Sequence, residues 1–208
     1  MPILAIDTAG GGLSLGVYDR DQDRLLARHQ QALRQGQVAA LHPALTELLA
    51  SARLRLSDID GVIVTRGPGS FTGLRVGLAA VQGLKAARPA LLAQGVDSFS
   101  AQVPLDEAGP AWVALDTRRR DLFLCRWRAA DAAQGGLSIQ VASYEAFAMQ
   151  RAAEPLPVYG DALPLLHLGP SQEAPPSLTD PLTLARRFNP SLSASALTPL
   201  YSRAPQIG

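Results

Sequence analysis

Apolar positions along this chain fall in short runs with sharp polar ends. Residues 3–6 form one run, closed by Asp7, and residues 13–18 form another after Gly10, Gly11 and Gly12. Runs of this length between turn residues predict buried strands, here a hairpin, with a third strand over 24–30. The spacing then changes. Val38, Leu41, Leu45, Leu48, Leu49 and Ala52 recur at helical intervals, which predicts an amphipathic helix. Pro43 lies near its start and has no backbone donor, so a kink or a late start is expected there. Residues 61–65 predict a buried strand, 67–73 a glycine-rich loop, and 72–87 a second helix ended by Pro89. A strand over 91–96, a connector over 97–110 and a second hairpin, 111–116 with 122–127, follow. Beyond them the pattern weakens. It predicts a strand at 138–142, a helix at 143–151, a loop over 169–181, a short helix at 182–188 and an irregular tail from 191.

The two hairpins echo each other. Residues 5–18 read AIDTAGGGLSLGVY and residues 114–127 read ALDTRRRDLFLCRW. Set side by side without a gap, Ala5 falls on Ala114, Asp7 on Asp116, Thr8 on Thr117, Leu13 on Leu122 and Leu15 on Leu124. Two unrelated hairpins are the plainer alternative. A duplicated unit of this kind resembles the two-lobed actin, hexokinase and Hsp70 fold, an α/β class with a mixed sheet in each lobe. That resemblance places the lobes at 1–97 and 98–208 and implies that the hairpin turns face a nucleotide's phosphates. Glycine lets an anion approach the main chain closely, so Asp7, Thr8, Gly10, Gly11 and Gly12 make a candidate anion loop. The second turn, Arg118-Arg119-Arg120-Asp121, has no glycine and cannot form the same nest. The second lobe therefore reads as degenerate and the first loop as a vestige. Asp7 and Thr8 have a simpler reading as local caps of the turn.

Composition narrows the chemistry. Of 208 residues, 19 are basic and 18 acidic, which disfavours a broad phosphate-binding surface but leaves room for a small basic patch. Cys125 is the single cysteine, so neither an internal disulfide nor a cysteine-based zinc cage can form. The apolar start of the chain is cut at once by Asp7, unlike a signal peptide, and a cytoplasmic location is expected. His29, His42 and His167 are not spaced as a metal-binding pair, and each reads as a surface or packing residue. Trp112, Phe123 and Trp127 read as strand packing residues. We expect no metal, no cofactor and no catalytic residue.

Residues 66–77, RGPGSFTGLRVG, are the most specific string. They lack the Gly-Lys-Ser/Thr of a Walker loop and the spacing of a dinucleotide fingerprint. Gly67, Gly69, Ser70 and Thr72 lie between a strand and a helix, where free amides suit an anion, or where glycines simply serve packing. Together with LAIDTA at 4–9, LDTRRRDLFL at 115–124, VYGDA at 158–162 and PLYSR at 199–203, this string resembles the TsaB (YeaZ) family. These landmarks span nearly the whole chain. The resemblance implies a non-catalytic subunit that pairs with a TsaD-type catalytic subunit and a TsaE-type ATPase. The complex transfers threonylcarbamoyl to N6 of adenosine 37 in tRNAs that decode codons starting with A. TsaD shares the fold and carries a His-x-x-x-His pair after the corresponding strand; residues 96–102 here read VDSFSAQ and hold no histidine. Family members often have a histidine before the first amphipathic helix, where this chain has Gly36-Gln37, so that histidine's role does not transfer.

Two rival functions remain. A phosphotransferase of the same fold would need an acidic residue for Mg²⁺, with Asp7 and Asp116 as candidates, and two phosphate loops. A peptidase would need a metal cluster or a base near Ser70, and no sequence feature nominates either. For the subunit reading, the two amphipathic helices are the expected partner interface. Leu41, Leu45 and Leu48 mark the first helix; Gly73, Gly77, Ala80 and Leu84 mark a stripe on the second. The alternative is that this stripe packs on the chain's own sheet. An open apolar face would also let the isolated chain pair with itself. Arg118, Arg119 and Arg120 are expected in an exposed turn, with contact to tRNA phosphates as the alternative. Arg75 has two readings, an ion pair within the fold or a contact to the partner.

Overall fold

A computed structural model describes residues 1–33, 35–168, 178–192 and 197–201. The side chain of His167, most of the expected 169–181 loop and residues 202–203 of the PLYSR string lie outside the described residues. The first lobe begins with β1 (Pro2–Asp7), β2 (Gly12–Asp19) and β3 (Arg24–Ala32), followed by α1 (Gln37–Ala52), β4 (Gly61–Thr65), α2 (Phe71–Ala87) and β5 (Leu92–Val96). Its sheet runs β3-β2-β1-β4-β5, antiparallel through β1 and parallel from β1 to β5. Antiparallel neighbours can be joined by tight turns. The parallel steps need crossovers, and α1 and α2 supply them.

The second lobe repeats the plan on a smaller scale. It comprises β6 (Ala111–Asp116), β7 (Leu122–Trp127), α3 (Ala129–Ala133), β8 (Ile139–Ala142), α4 (Tyr144–Ala153), β9 (Val158–Tyr159) and α5 (Leu163–Leu168). Its sheet order, β8-β7-β6-β9, matches β3-β2-β1-β4, and α4 is the crossover that α1 provides in the first lobe. The fold is thus the expected duplicated, two-lobed mixed-sheet architecture. The chain then returns: α6 (Pro181–Arg186) lies against the first sheet, where Leu184, Ala185 and Phe188 pack with Ile3, Ala5 and Ile63. The opposite face of that sheet carries α1 and α2 over Leu4, Ile6, Leu13, Leu15, Val62 and Val64.

Three expectations need correction. The hairpins do not superpose without a gap. Asp7 pairs with Ser14, seven positions on, whereas Asp116 pairs with Leu122, six positions on. The second turn is one residue shorter, so the position of Asp7 corresponds to Leu115, not Asp116. The cores agree: Leu13 and Leu15 share a face with Leu4 and Ile6, while Leu122 and Leu124 share theirs with Trp112 and Ala114. A slip of one residue along a strand exchanges its faces, and identical letters hid it. Next, α1 neither starts late nor stops at Pro43. It begins at Gln37 and runs through, because Ala39, whose carbonyl loses its partner, and Pro43 are both exposed and water can replace the bond. Finally, α3, β9 and α5 escaped the pattern, being two to six residues long and too short to show a period.

Candidate functional site

The turn between β1 and β2 is where a nucleotide would be held in a complete two-lobed enzyme. Asp7 ends β1 and is buried. Its Oδ1 accepts from the Ala9 amide at 2.8 Å and the Thr65 hydroxyl at 2.5 Å, and its Oδ2 accepts from the Thr179 hydroxyl. Thr179 is held in turn: its Oγ1 accepts from Gln102 Nε2 at 2.7 Å and its carbonyl from Ser14 Oγ at 2.6 Å. Both oxygens of Asp7 are therefore bound by the chain itself. Gly11 and Gly12 are buried, and the Gly11 carbonyl accepts from the Leu33 amide at 2.9 Å.

Gly10 sits between two carboxylates. A side-chain carbon there would lie 3.4 Å from Asp161 Oδ2 and 3.7 Å from Asp7 Oδ2, one carboxylate from each lobe. Burial pushes the Asp161 carboxyl up to about 7, and the charges of Asp116 and Asp7 push the same way; the Asp116 amide, 2.8 Å from Oδ1, and Arg118 oppose them. An anion entering beside Gly10 would meet these acidic groups, which disfavours phosphate at the expected anion loop. Sequence reasoning missed Thr65, Thr179, Gln102 and Asp161. Asp161 was visible only as part of the VYGDA string, and the others carried no signal.

The glycine-rich string folds back on the same turn. Ser70 caps α2, its hydroxyl accepting from Gly73 N at 3.2 Å, and its amide donates to the Ala9 carbonyl at 2.8 Å. The Thr8 hydroxyl donates to the Gly73 carbonyl at 2.7 Å. A Cβ on Gly73 would collide with the Thr8 carbonyl, and one on Gly77 would sit 2.5 Å from Thr8 Oγ1. Gly73 and Gly77 thus pack on their own chain. Small residues do permit a close backbone approach here, but the neighbour is the β1–β2 turn. Gly67 performs a similar task beside Leu200, whose amide donates to the Arg66 carbonyl at 2.6 Å, while Thr72 is exposed.

The rest of the expected interface behaves differently. Leu41, Leu45, Ala80 and Leu84 line an open groove of about 560 Å³ between α1 and α2, together with Val38, His42, Leu49, Leu54 and Leu56. Leu48 belongs to the core beneath it. Val38 is 69% exposed at the groove's edge, an apolar residue with little cover.

The Arg118, Arg119 and Arg120 turn is exposed. Its amides are capped locally, Arg118 N by Asp116 Oδ1 at 2.7 Å and Arg119 N by Thr117 Oγ1 at 3.1 Å. Those two amides already have acceptors and are not offered to a phosphate. Cys125 is buried, which pushes its thiol up to about 12 and leaves it inert. His29 Nδ1 lies 3.8 Å from Glu47, and His42 is exposed. Among the described residues no group of three or more His, Cys, Asp or Glu side chains is placed to hold a metal ion, and no helix is long and apolar enough to cross a membrane.

Comparison with known proteins places this architecture. The model of the family described as "TsaD: tRNA N6-adenosine threonylcarbamoyltransferase" matches residues 32–156. An uncharacterized protein of Mycobacterium tuberculosis is 30% identical over 208 residues, covering 98% of this chain and 92% of its own. The Escherichia coli tRNA threonylcarbamoyladenosine biosynthesis protein TsaB is 34% identical over 84 residues, 40% of this chain and 35% of that one. The structure of YeaZ from Pseudomonas aeruginosa superposes with a TM-score of 0.65 at 21% identity, covering 96% of this chain and 99% of its own, a likeness of fold. A second solved structure, described as similar to the peptidase YEAZ from Pseudomonas aeruginosa, gives 0.68 at 23% identity over 97% of this chain and 99% of that one. The match over residues 32–156 shows that the chain belongs to the family of the TsaD-type domain, and the relatives named TsaB, with the YeaZ structures that share its fold, support its membership of the TsaB/YeaZ branch.

Proposed function

We propose that this chain takes part in threonylcarbamoyladenosine biosynthesis as a scaffold that docks a TsaD-type catalytic subunit in the α1–α2 groove. The open groove carries this reading. It presents the half-buried Leu45, Ala80 and Leu84 beside the buried Leu41, and an apolar cleft between two helices fits the apolar face of another helix pair. In this reading the 1–97 lobe carries the docking face and the 98–208 lobe braces it through α6. A TsaE-type ATPase joins the pair, and tRNA meets the chain only within the complex, in the cytoplasm. The same groove is the face through which the isolated chain would pair with itself.

The state of Asp7 weighs against the phosphotransferase alternative. Asp7 is buried and held by three donors of the chain itself, Ala9, Thr65 and Thr179, the environment of a structural carboxylate more than of a solvent-accessible Mg²⁺ ligand. The peptidase alternative has no support around Ser70, whose hydroxyl caps α2. The test is reconstitution. The purified chain, added to the TsaD-type and TsaE-type proteins of the same cell, should form a stoichiometric complex and be required for tRNA modification. Modification at full rate without it, or robust ATP turnover by the chain alone that Asp7→Ala abolishes, would overturn the proposal.

A further inference from the structure

Helix α2 holds a cation in a fixed setting that, among the described residues, has no counter-charge. Arg75 is exposed, its guanidinium carbon lies 3.7 Å from the centroid of the Phe71 ring, and its Nε donates to the Tyr201 hydroxyl at 3.2 Å. The Tyr201 ring packs at a tilt against Phe71, with centroids 5.2 Å apart and planes 36° from parallel. Tyr201 arrives on a strap, residues 197–201, tied down along α2. The Leu197 carbonyl accepts from Gln82 Nε2 at 3.3 Å, and the Leu200 amide donates to the Arg66 carbonyl beside Gly67. Phe71 of α2 holds the face of the arginine, and Tyr201 of the strap holds its edge. Among the described residues Arg75 has no carboxylate partner, and α2 contains neither Asp nor Glu. The helix's other cation, Lys85, is committed to the Pro89 and Leu91 carbonyls.

Arginine ordinarily loses rotamer freedom when it pairs. One already clamped on an aromatic face loses less, and such Arg–Tyr settings are common anchors at protein interfaces. Arg75 shares the solvent-facing side of α2 with Ala79, Gln82, Gly83 and Ala86, small or neutral residues that let a partner come close. Ala80 and Leu84, five and nine positions after Arg75, lie round the helix from it and line the groove toward α1. We infer that the C-terminal strap preorganises Arg75 to receive a carboxylate of the subunit that docks over α1 and α2. This rests on the docking reading and adds a charged anchor to it. An acidic protein side chain fits better than an RNA backbone, because the exposed side of α2 around Arg75 is small and neutral and, among the described residues of that helix, the other cation, Lys85, is already engaged.

The experiment measures affinity for the TsaD-type subunit at low and high salt, with thermal melting of each variant as a check on folding. Arg75→Met keeps the stem and removes the charge; it should weaken binding about tenfold at low salt and flatten the salt dependence, with melting unchanged. Arg75→Lys should keep the salt dependence. Tyr201→Phe should weaken binding in the same direction by a smaller factor, since the ring stays and only the clamp on Nε is lost. If Arg75→Met leaves affinity and salt dependence unchanged while Ala80→Arg in the groove abolishes binding, the anchor is wrong and the docking site stands. If Ala80→Arg has no effect, the docking reading fails first. If Arg75→Met spares the protein complex and lowers only the tRNA affinity of the assembled complex, the ligand is phosphate and the inference is overturned.

Discussion

Thr179 lies 172 residues after Asp7, and its hydroxyl donates to the Asp7 carboxylate inside the protein. The contact binds the segment before α6 to the end of β1. Three donors, the Ala9 amide and the Thr65 and Thr179 hydroxyls, converge on one buried carboxylate. Asp7→Ala would strand all three and should cost about 3 kcal/mol of stability. Urea unfolding measures it. A variant as stable as the parent would mean that Asp7 is not a structural lock.

Two glycines of α2 should respond in opposite directions. A methyl at Gly73 runs into the Thr8 carbonyl and must push the helix off the β1–β2 turn, whereas Gly83 has nothing within 4 Å. Gly73→Ala should destabilise by about 2 kcal/mol, as overpacking does. Gly83→Ala should stabilise by about 1 kcal/mol, the propensity difference at a helix interior. Calorimetric melting of both variants checks the pair, and equal effects would contradict the packing described.

Asp161 sets a pH dependence with a definite sign. Its carboxyl is raised to about 7 in the folded protein, above its value in an unfolded chain. Between the two values the folded state binds the extra proton, so this group's contribution to stability falls as pH rises and levels off above about 7. Asp161→Asn keeps an acceptor for the Asp116 amide and removes the charge. It should flatten this slope and raise stability at pH 8 more than at pH 5, read by chemical denaturation at each pH. An unchanged slope would place the titration elsewhere.

The arginine turn should prove dispensable for RNA. With the Arg118 and Arg119 amides capped by Asp116 and Thr117, replacing Arg118, Arg119 and Arg120 together by Ala should leave partner binding intact and change the complex's tRNA affinity less than threefold, roughly the scale of a single exposed contact. A large, salt-dependent loss of tRNA binding would reverse this.

The fold was legible where the apolar runs were long or bounded by turn residues. Both hairpins, α1, α2 and β4 follow from spacing alone, and the echo between the hairpins points to the duplicated architecture through its leucine pairs, although its Asp-Thr pairs stand one residue out of register. What remained hidden depends on contacts distant in sequence. The one-residue register difference between the hairpins cannot be read from identical letters. Gly73 and Gly77 looked like a surface for a stranger because nothing local says that Thr8 fills the space beside them. Thr65 and Thr179 are ordinary threonines until the fold brings their hydroxyls to one carboxylate. The groove was half legible: helical spacing marked Leu41, Leu45, Leu48, Ala80 and Leu84 alike, but only the packing of α1 beside α2 separates Leu45, Ala80 and Leu84 from Leu41 and Leu48, which belong to the core.

The docking reading stands or falls most directly on Ala80→Arg, with binding to the TsaD-type subunit and thermal melting measured on the same preparation. Ala80 is half-buried on the groove wall, with room beside it for a long side chain to reach water. A folded variant that melts like the parent and no longer binds the subunit is the predicted result. A variant that binds with parental affinity, or one that unfolds because position 80 belongs to the closed core, would contradict it.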